Sequence, residues 1–155
     1  KGTLPAIVVF ESNDELSEKQ QNEINAARRE RRMSSWTKEE LAQAEKEDLY
    51  ISAPNEDGTM HAPTWIWMVV VDGALYCRSY NGANGRWYTA AKRAGNGRAK
   101  FGTVDRPVSF EFVNDETVDT AVDEAYRVKY AGSSYLDGPF TPRMRSTTVR
   151  LMPSD

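Results

Sequence analysis

Apolar residues from position 33 onwards follow two different periods, and these separate strands from helices. Val108, Phe110 and Phe112 alternate with polar residues, which is the two-residue period of a half-buried strand. In 114–130 the apolar residues instead recur three or four positions apart, on one face of a helix. The same criteria predict strands at 50–53, 63–71, 74–78, 98–104, 108–113 and 147–152, and helices at 41–49, 86–93 and 114–130. Five or six antiparallel strands without strand–helix–strand alternation indicate an α+β fold whose sheet curls into a small barrel.

Turn and cap signals place several boundaries between these elements. Asp72-Gly73 stands between two apolar runs and is the strongest hairpin signal in the chain. The tripeptide 105–107 (Asp-Arg-Pro) is predicted to connect the two strands beside it. Thr37 and Glu40 have the spacing of a capping box, which predicts that a helix begins there.

The first 32 residues differ in composition from the rest of the chain and are predicted to form an arm. Residues 4–10 are apolar and rich in β-branched side chains, which predicts an edge strand. Ser12 and Glu15 have capping-box spacing for a helix that runs to about residue 32. That helix has few apolar residues, so we expect it to be solvated or packed against a partner.

The domain boundary is predicted between residues 32 and 33. Met33 resembles a native start, so residues 1–32 are either a fusion segment or a genuine extension, while 33–155 form the folded domain. We expect this domain to fold without the arm, because most of the aromatic residues lie within it.

Charge and rare residue types exclude several classes of function. The 20 basic and 23 acidic residues give a net charge of −3, so no general basic surface for nucleic acid is expected. Cys77 is the only cysteine and His61 the only histidine, which excludes an internal disulfide and makes a Cys/His metal site untenable. The uncharged run 58–71 is too short to span a bilayer. These features favour a cytoplasmic protein that binds no membrane.

The segment 76–88 is the densest candidate for a binding site. It runs from a strand end through a Gly/Asn-rich loop into a helix start, where free backbone N–H groups attract phosphate. A solvated connection with core aromatics would have the same composition, and this alternative stays open. The residues of the candidate phosphate site are Arg78, Ser79, Asn81, Gly82, Asn84, Arg86 and Trp87, with Tyr88 as a further stacking surface.

Aromatic residues elsewhere extend this candidate site. Alternation places Trp65 and Trp67 on one face of a strand, where they could line a pocket for a small-molecule ligand. Tyr126 and Tyr130 lie four residues apart on one helix, and with His61 they are weak candidates for a proton donor.

The order of motifs resembles the DUF2255 family of small uncharacterised proteins over about residues 33–153. The motifs are WTKEEL at 36–41, PTWIW at 63–67, LYCRSYNG at 75–82, RWY at 86–88, AYRVKY at 125–130 and TTVRLMP at 147–153. More distantly, the strand, loop and Trp-Tyr helix resemble those of split β-barrel flavin and deazaflavin oxidoreductases. This second resemblance implies a split barrel of the FMN-binding type with two or three flanking helices, and a homodimer.

The resemblance also implies a function. It suggests an oxidoreductase-like protein that binds FMN or a deazaflavin through the candidate phosphate site, with Trp65, Trp67 and Tyr88 around the substrate. Two alternatives need no cofactor. One is a non-catalytic module that binds a small metabolite, and the other is an isomerase or cyclase that uses Tyr126, Tyr130 or His61 as its proton donor.

Overall fold

The computed structural model describes residues 17–33 and 35–154, which fall into two compact units that divide after Met33. In the first unit, helix α1 spans Glu18–Met33. The backbone N–H of Gln20 donates to Ser17 Oγ, and Gln20 Oε1 accepts from the N–H of Ser17, so a reciprocal cap closes the start of α1. The predicted strand at 4–10 and the predicted Ser12–Glu15 cap lie outside the described residues.

Deleting residues 1–32 should leave the folding of the remaining chain intact. Residues 33–155 contain every strand of the described sheet and both of its apolar clusters. We expect the truncated chain to unfold in a single cooperative thermal transition, followed by circular dichroism. Loss of that cooperativity would show that the domain boundary lies elsewhere.

The second unit contains seven strands and four helices among the described residues. The helices are α2 (Lys38–Lys46), α3 (Arg86–Ala94), α4 (Glu116–Lys129) and α5 (Pro142–Arg145), and single 3₁₀ turns occupy Gly82–Asn84 and Gly138–Phe140. The strands are β1 (Leu49–Ser52), β2 (Thr64–Ile66), β3 (Met68–Val71), β4 (Ala74–Cys77), β5 (Asn96–Phe101), β6 (Val104–Phe112) and β7 (Val149–Pro153). No helix in the described part of the chain has the length and apolar character needed to cross a membrane.

The strands form one antiparallel sheet that closes on itself. Its order is β2-β1-β5-β6-β7-β4-β3, so β2 and β3 are the two edges. These edges follow each other in the chain with only Trp67 between them. Because a single residue joins them, the edges must lie side by side, and the sheet is a nearly closed barrel. This confirms the predicted α+β split barrel.

Two turns were predicted from the sequence, one correctly and one wrongly. The predicted Asp72-Gly73 hairpin is confirmed, since both residues have positive φ and join β3 to β4 in register. The prediction of a connector at 105–107 is wrong, because these residues belong to β6 and pair with β5. The turn lies earlier, where Gly102 adopts a φ of +59°.

The predicted number of strands is also corrected. Residues 63–71 looked like one apolar run, but the chain bends at Trp67 and divides it into β2 and β3. The bend is what carries the chain from one edge of the sheet to the other.

Apolar side chains occupy both faces of the sheet. One cluster fills the barrel and includes Leu49, Ile51 and Cys77. The other lies between the sheet and α4 and includes Tyr76 and Tyr126. Tyr76 and Cys77 therefore point to opposite faces, as strand alternation requires.

Candidate functional site

A cavity of about 540 Å³ opens where the bend at Trp67, the end of β4 and the start of α3 meet. This volume is in the range of small-molecule sites in proteins. Apart from two arginines, the side chains around it are uncharged and mostly apolar or aromatic. The lining residues are Thr64, Trp65, Ile66, Trp67, Arg78, Ser79, Tyr80, Asn81, Gly85, Arg86, Trp87, Tyr135, Gly138, Pro139 and Met144.

The structure brings most of the predicted site residues to this cavity. Those that line it are Arg78, Ser79, Asn81, Arg86, Trp87, Trp65 and Trp67. Three of the residues predicted for the phosphate site and its stacking surface do not. Gly82 is buried beneath the side chain of Arg143, and Asn84 lines a separate polar cleft. Tyr88 packs in the barrel core, edge-on to Trp87 and Phe112.

Arg78 supports the cavity from inside the protein. It is 1% exposed, and its N–H groups donate to Thr148 Oγ1, to Asp123 Oδ1 at 2.6 Å and to the carbonyl of Pro139. Its remaining nitrogen donates to the carbonyl and the carboxylate of Asp119. Because protein acceptors occupy the whole guanidinium fork, the structure gives Arg78 a structural role and not that of a free phosphate anchor.

Ser79 has an unpartnered hydroxyl at the start of α3. Its N–H donates to Thr147 Oγ1, but its buried Oγ has no hydrogen-bond partner in the structure. That oxygen lies against Gly85, where a Cβ would overlap it. Gly85 is the N-cap of α3, and no side chain caps the helix there. A buried hydroxyl and the uncapped start of a helix therefore meet at one point of the cavity.

Arg86 places a positive charge at the same point. It is the first residue of α3 and is exposed. Among the described residues it forms no ion pair, unlike Arg78 and Arg145. It lines both this cavity and the polar cleft that Asn84 and His61 also line. Arg86 is thus the cationic group best placed to meet an anion at the α3 start.

Trp65 and Trp67 form the aromatic wall of the cavity. Trp67 stacks on Tyr130 with ring centroids 4.0 Å apart and an interplanar angle of 8°. The indole N–H of Trp65 donates to Asp48 Oδ2 at 2.9 Å, and the hydroxyl of Tyr130 donates to Asp48 Oδ1 at 2.7 Å. Burial, and then the bond to Asp48, raises the pKa of Tyr130, so the phenol stays protonated.

Lys129 fastens the chain segments behind the aromatic wall. Its Nζ donates to the carbonyls of Ala44, Glu47 and Met68 at 2.6–2.8 Å. These carbonyls belong to the end of α2 and the start of β3. Burial lowers the pKa of Lys129 to about 8, against the attraction of Asp48 and other nearby acidic groups.

Two exposed tyrosines form the rim of the cavity. Tyr80 is 62% exposed and Tyr135 is 75% exposed, although both are large apolar rings. The guanidinium of Arg143 lies over the ring of Tyr80 at 5.8 Å. Tyr80 lies in the predicted 76–88 segment but was not named there as a site residue. Tyr135 and the 138–144 segment were not predicted, because their loop carries no periodic pattern that links it to the strands.

None of the three proposed proton donors lines the cavity at the start of α3. Tyr126 is fully buried and Tyr130 is held by Asp48. His61 accepts from the N–H of Ala53 and donates through Nδ1 to the carbonyl of Ala62. Burial raises the pKa of Cys77 and of Tyr126, so both stay protonated. The structure therefore disfavours the cofactor-free isomerase or cyclase.

The remaining chemistry of the cavity is binding. Its described lining contains no histidine, carboxylate, lysine or cysteine. No cluster of metal-ligating side chains occurs among residues 17–33 and 35–154. The arrangement can hold an anion at the start of α3 and a flat ring against Trp65 and Trp67.

Comparison with solved structures finds proteins of similar fold at low sequence identity. A proposed 5-nitroimidazole antibiotic resistance protein from Bacteroides thetaiotaomicron is 16% identical, with a TM-score of 0.55 and coverage of 77% of this chain and 80% of that one. A conserved hypothetical protein from Mycobacterium tuberculosis is 17% identical, with a TM-score of 0.54 and coverage of 77% and 81%. An F420-H2 dependent reductase is 14% identical, with a TM-score of 0.49 and coverage of 69% and 93%.

The curated proteins contain no match to this chain. The family model for DUF2255, described as an uncharacterized protein conserved in bacteria, matches residues 39–151. That span includes every strand except the end of β7, and all of the cavity lining. The chain belongs to the DUF2255 family.

Proposed function

We propose that the cavity between Trp67 and the start of α3 binds a phosphorylated, flavin-like cofactor such as FMN or a deazaflavin. The observation that carries this proposal is the unpartnered buried hydroxyl of Ser79 beside the uncapped start of α3. Buried hydroxyls in native structures nearly always have a partner, so an unpartnered one on a residue that lines a cavity requires an explanation. A phosphate oxygen at the α3 start would supply the missing acceptor.

The residues of the cavity fit such a cofactor. Gly85 has no side chain, so the hydroxyl of Ser79 can lie directly against the start of α3. Arg86 supplies a positive charge that no described acidic group neutralises. Trp65 and Trp67 supply flat surfaces for a ring system.

A bound flavin or deazaflavin supplies hydride transfer to or from a substrate. The chain itself then needs to anchor the phosphate, orient the ring and exclude water. The cavity lining suits these three tasks, because it carries no histidine or carboxylate to act as acid or base. The exposed rings of Tyr80 and Tyr135 leave a surface at the rim for a second flat molecule.

A non-catalytic module that binds a small metabolite is the second candidate. The same absence of acid and base groups from the described lining favours it. The two candidates differ in whether the protein catalyses a redox reaction, since a binding module does not transfer hydride. Oxidation of a reduced nicotinamide by the FMN-loaded protein would favour the oxidoreductase, and no oxidation would favour the binding module.

Replacing Ser79 or Arg86 by alanine should weaken FMN binding at least tenfold, about 1.4 kcal/mol. Riboflavin has the same ring but no phosphate, so its affinity should change little. Quenching of flavin fluorescence measures both affinities. Arg93→Ala is the matched control, because Arg93 lies at the other end of α3.

Equal losses for FMN and riboflavin in the Ser79 and Arg86 variants would contradict a phosphate site at the start of α3. Weakening of FMN by Arg93→Ala to the same degree would also contradict it. In that case the positive charge of the helix as a whole would attract FMN, and no specific contact at its start would be required.

A further inference from the structure

We propose that Asp48 is a positioning residue that fixes the aromatic wall and thereby selects flat ring systems as ligands of the cavity. This inference rests on the proposed function, in which the cavity holds such a ring. It adds a residue outside the cavity lining, and it assigns to that residue the choice of ligand shape.

The geometry of Asp48 gives each oxygen of its carboxylate a different aromatic partner. Oδ2 accepts from the indole N–H of Trp65 at 2.9 Å, and Oδ1 accepts from the hydroxyl of Tyr130 at 2.7 Å. Tyr130 in turn stacks on Trp67 with nearly parallel rings. One side chain therefore holds both members of the aromatic wall, Trp65 directly and Trp67 through Tyr130.

Trp65 depends on this bond for its orientation. Its ring is 57% exposed and lies on β2, an edge strand of three residues. An exposed side chain on a short edge has little packing to restrict its rotamers. A charge-assisted bond to Asp48 stabilises one of them.

Trp67 depends on Asp48 less directly. The hydroxyl of Tyr130 donates to Asp48 and also accepts from the N–H of Met68, which follows Trp67 in the chain. These two bonds hold the phenol ring in the plane against which Trp67 stacks. Without the carboxylate, the hydroxyl keeps only its hydrogen bonds to the backbone of Met68.

The segment that carries Asp48 is itself held rigidly. Asp48 lies between the end of α2 and the start of β1. Lys129 binds the carbonyls of Glu47 and Met68, each next to a residue of this network. Because the anchor is fixed at both the Asp48 and the Trp67 segments, the spacing of the two tryptophans is fixed as well.

The test compares Asp48→Ala and Asp48→Asn with Asp105→Ala as control. Asp105 also binds a side chain, Arg98, but on the exposed part of β5 and β6. Titration calorimetry with riboflavin reports on the ring, and titration with inorganic phosphate reports on the anion site. Near-ultraviolet circular dichroism of the protein without ligand reports on tryptophan orientation.

Asp48→Ala should weaken riboflavin binding at least tenfold, leave phosphate binding within twofold, and change the tryptophan bands. Asp48→Asn retains one acceptor oxygen for two donors, so its loss of riboflavin affinity should lie between those of the wild type and Asp48→Ala. Tyr130→Phe removes only the hydroxyl and should reproduce part of the loss, which keeps the test valid if Asp48→Ala does not fold. Asp105→Ala should change none of these quantities.

Parallel losses for riboflavin and phosphate would overturn the proposal, because a general structural defect would explain them. Unchanged tryptophan bands in Asp48→Ala and Asp48→Asn would overturn it too. If the wild-type protein binds neither FMN nor riboflavin, the proposed function fails. The ligand-free spectra then still decide whether Asp48 positions the aromatic wall.

Discussion

Replacing Arg78 by alanine should destabilise the fold by about 3–5 kcal/mol, the usual cost of removing one partner of a buried ion pair. The guanidinium is fully buried and connects the end of β4 with α4, the 138–140 turn and Thr148, the residue before β7. Its removal leaves Asp119 and Asp123 with largely buried carboxylates and one fewer cation. Urea denaturation measures the loss as a lower midpoint at an unchanged slope.

Arg98→Ala is the control for this prediction. Arg98 also pairs with an aspartate, but both side chains are about half exposed, so we expect a change below about 0.5 kcal/mol. A small effect of Arg78→Ala, together with a selective loss of FMN binding, would contradict the structural role. That result would show that Arg78 binds the ligand.

Replacing Gly85 by alanine should abolish FMN binding and destabilise the protein by about 1–3 kcal/mol, as overpacking of a buried site does. The backbone of Gly85 has φ −62° and ψ 145°, a conformation that any residue adopts. The obstacle is space alone, since the new Cβ would overlap Ser79 Oγ. The displaced hydroxyl of Ser79 would also lose the position proposed for its bond to the phosphate. Fluorescence titration and thermal denaturation measure the two effects separately.

The double variant Ser79→Ala, Gly85→Ala separates packing from binding. Removing Oγ relieves the overlap, so stability should recover to within about 1 kcal/mol of the wild type. FMN affinity should stay low, because the hydroxyl proposed to bind the phosphate is gone. Recovery of FMN binding in the double variant would show that Gly85→Ala acts only by distorting the protein.

Local signals predicted most of the fold. The capping box at Thr37 and Glu40 forms as expected, with α2 beginning one residue after Thr37. The Asp72-Gly73 hairpin and the apolar stripe of α4 were equally clear, because each depends on neighbours in the sequence. Closure of the barrel at Trp67 was not predictable from periodicity. It follows from the pairing of β1 with β5 and of β4 with β7, strands that are distant in the chain.

The candidate site was predicted in part. Loop composition correctly brought Ser79 and Arg86 to the cavity, since Gly/Asn loops and helix starts have local signatures. Composition could not show that Arg78 points inward, because its partners Asp119 and Asp123 lie on a helix some 40 residues later. Asp48 was missed for the same reason, as its role depends on contacts with β2 and α4.

Visible absorption of the wild-type protein, titrated first with FMN and then with a deazaflavin, tests the central claim most directly. We predict that at least one of the two cofactors shows a shifted, saturable band. Inorganic phosphate should compete with that shift, because it would occupy the start of α3. Spectra equal to the sum of free cofactor and free protein for both compounds would contradict the proposed cofactor site.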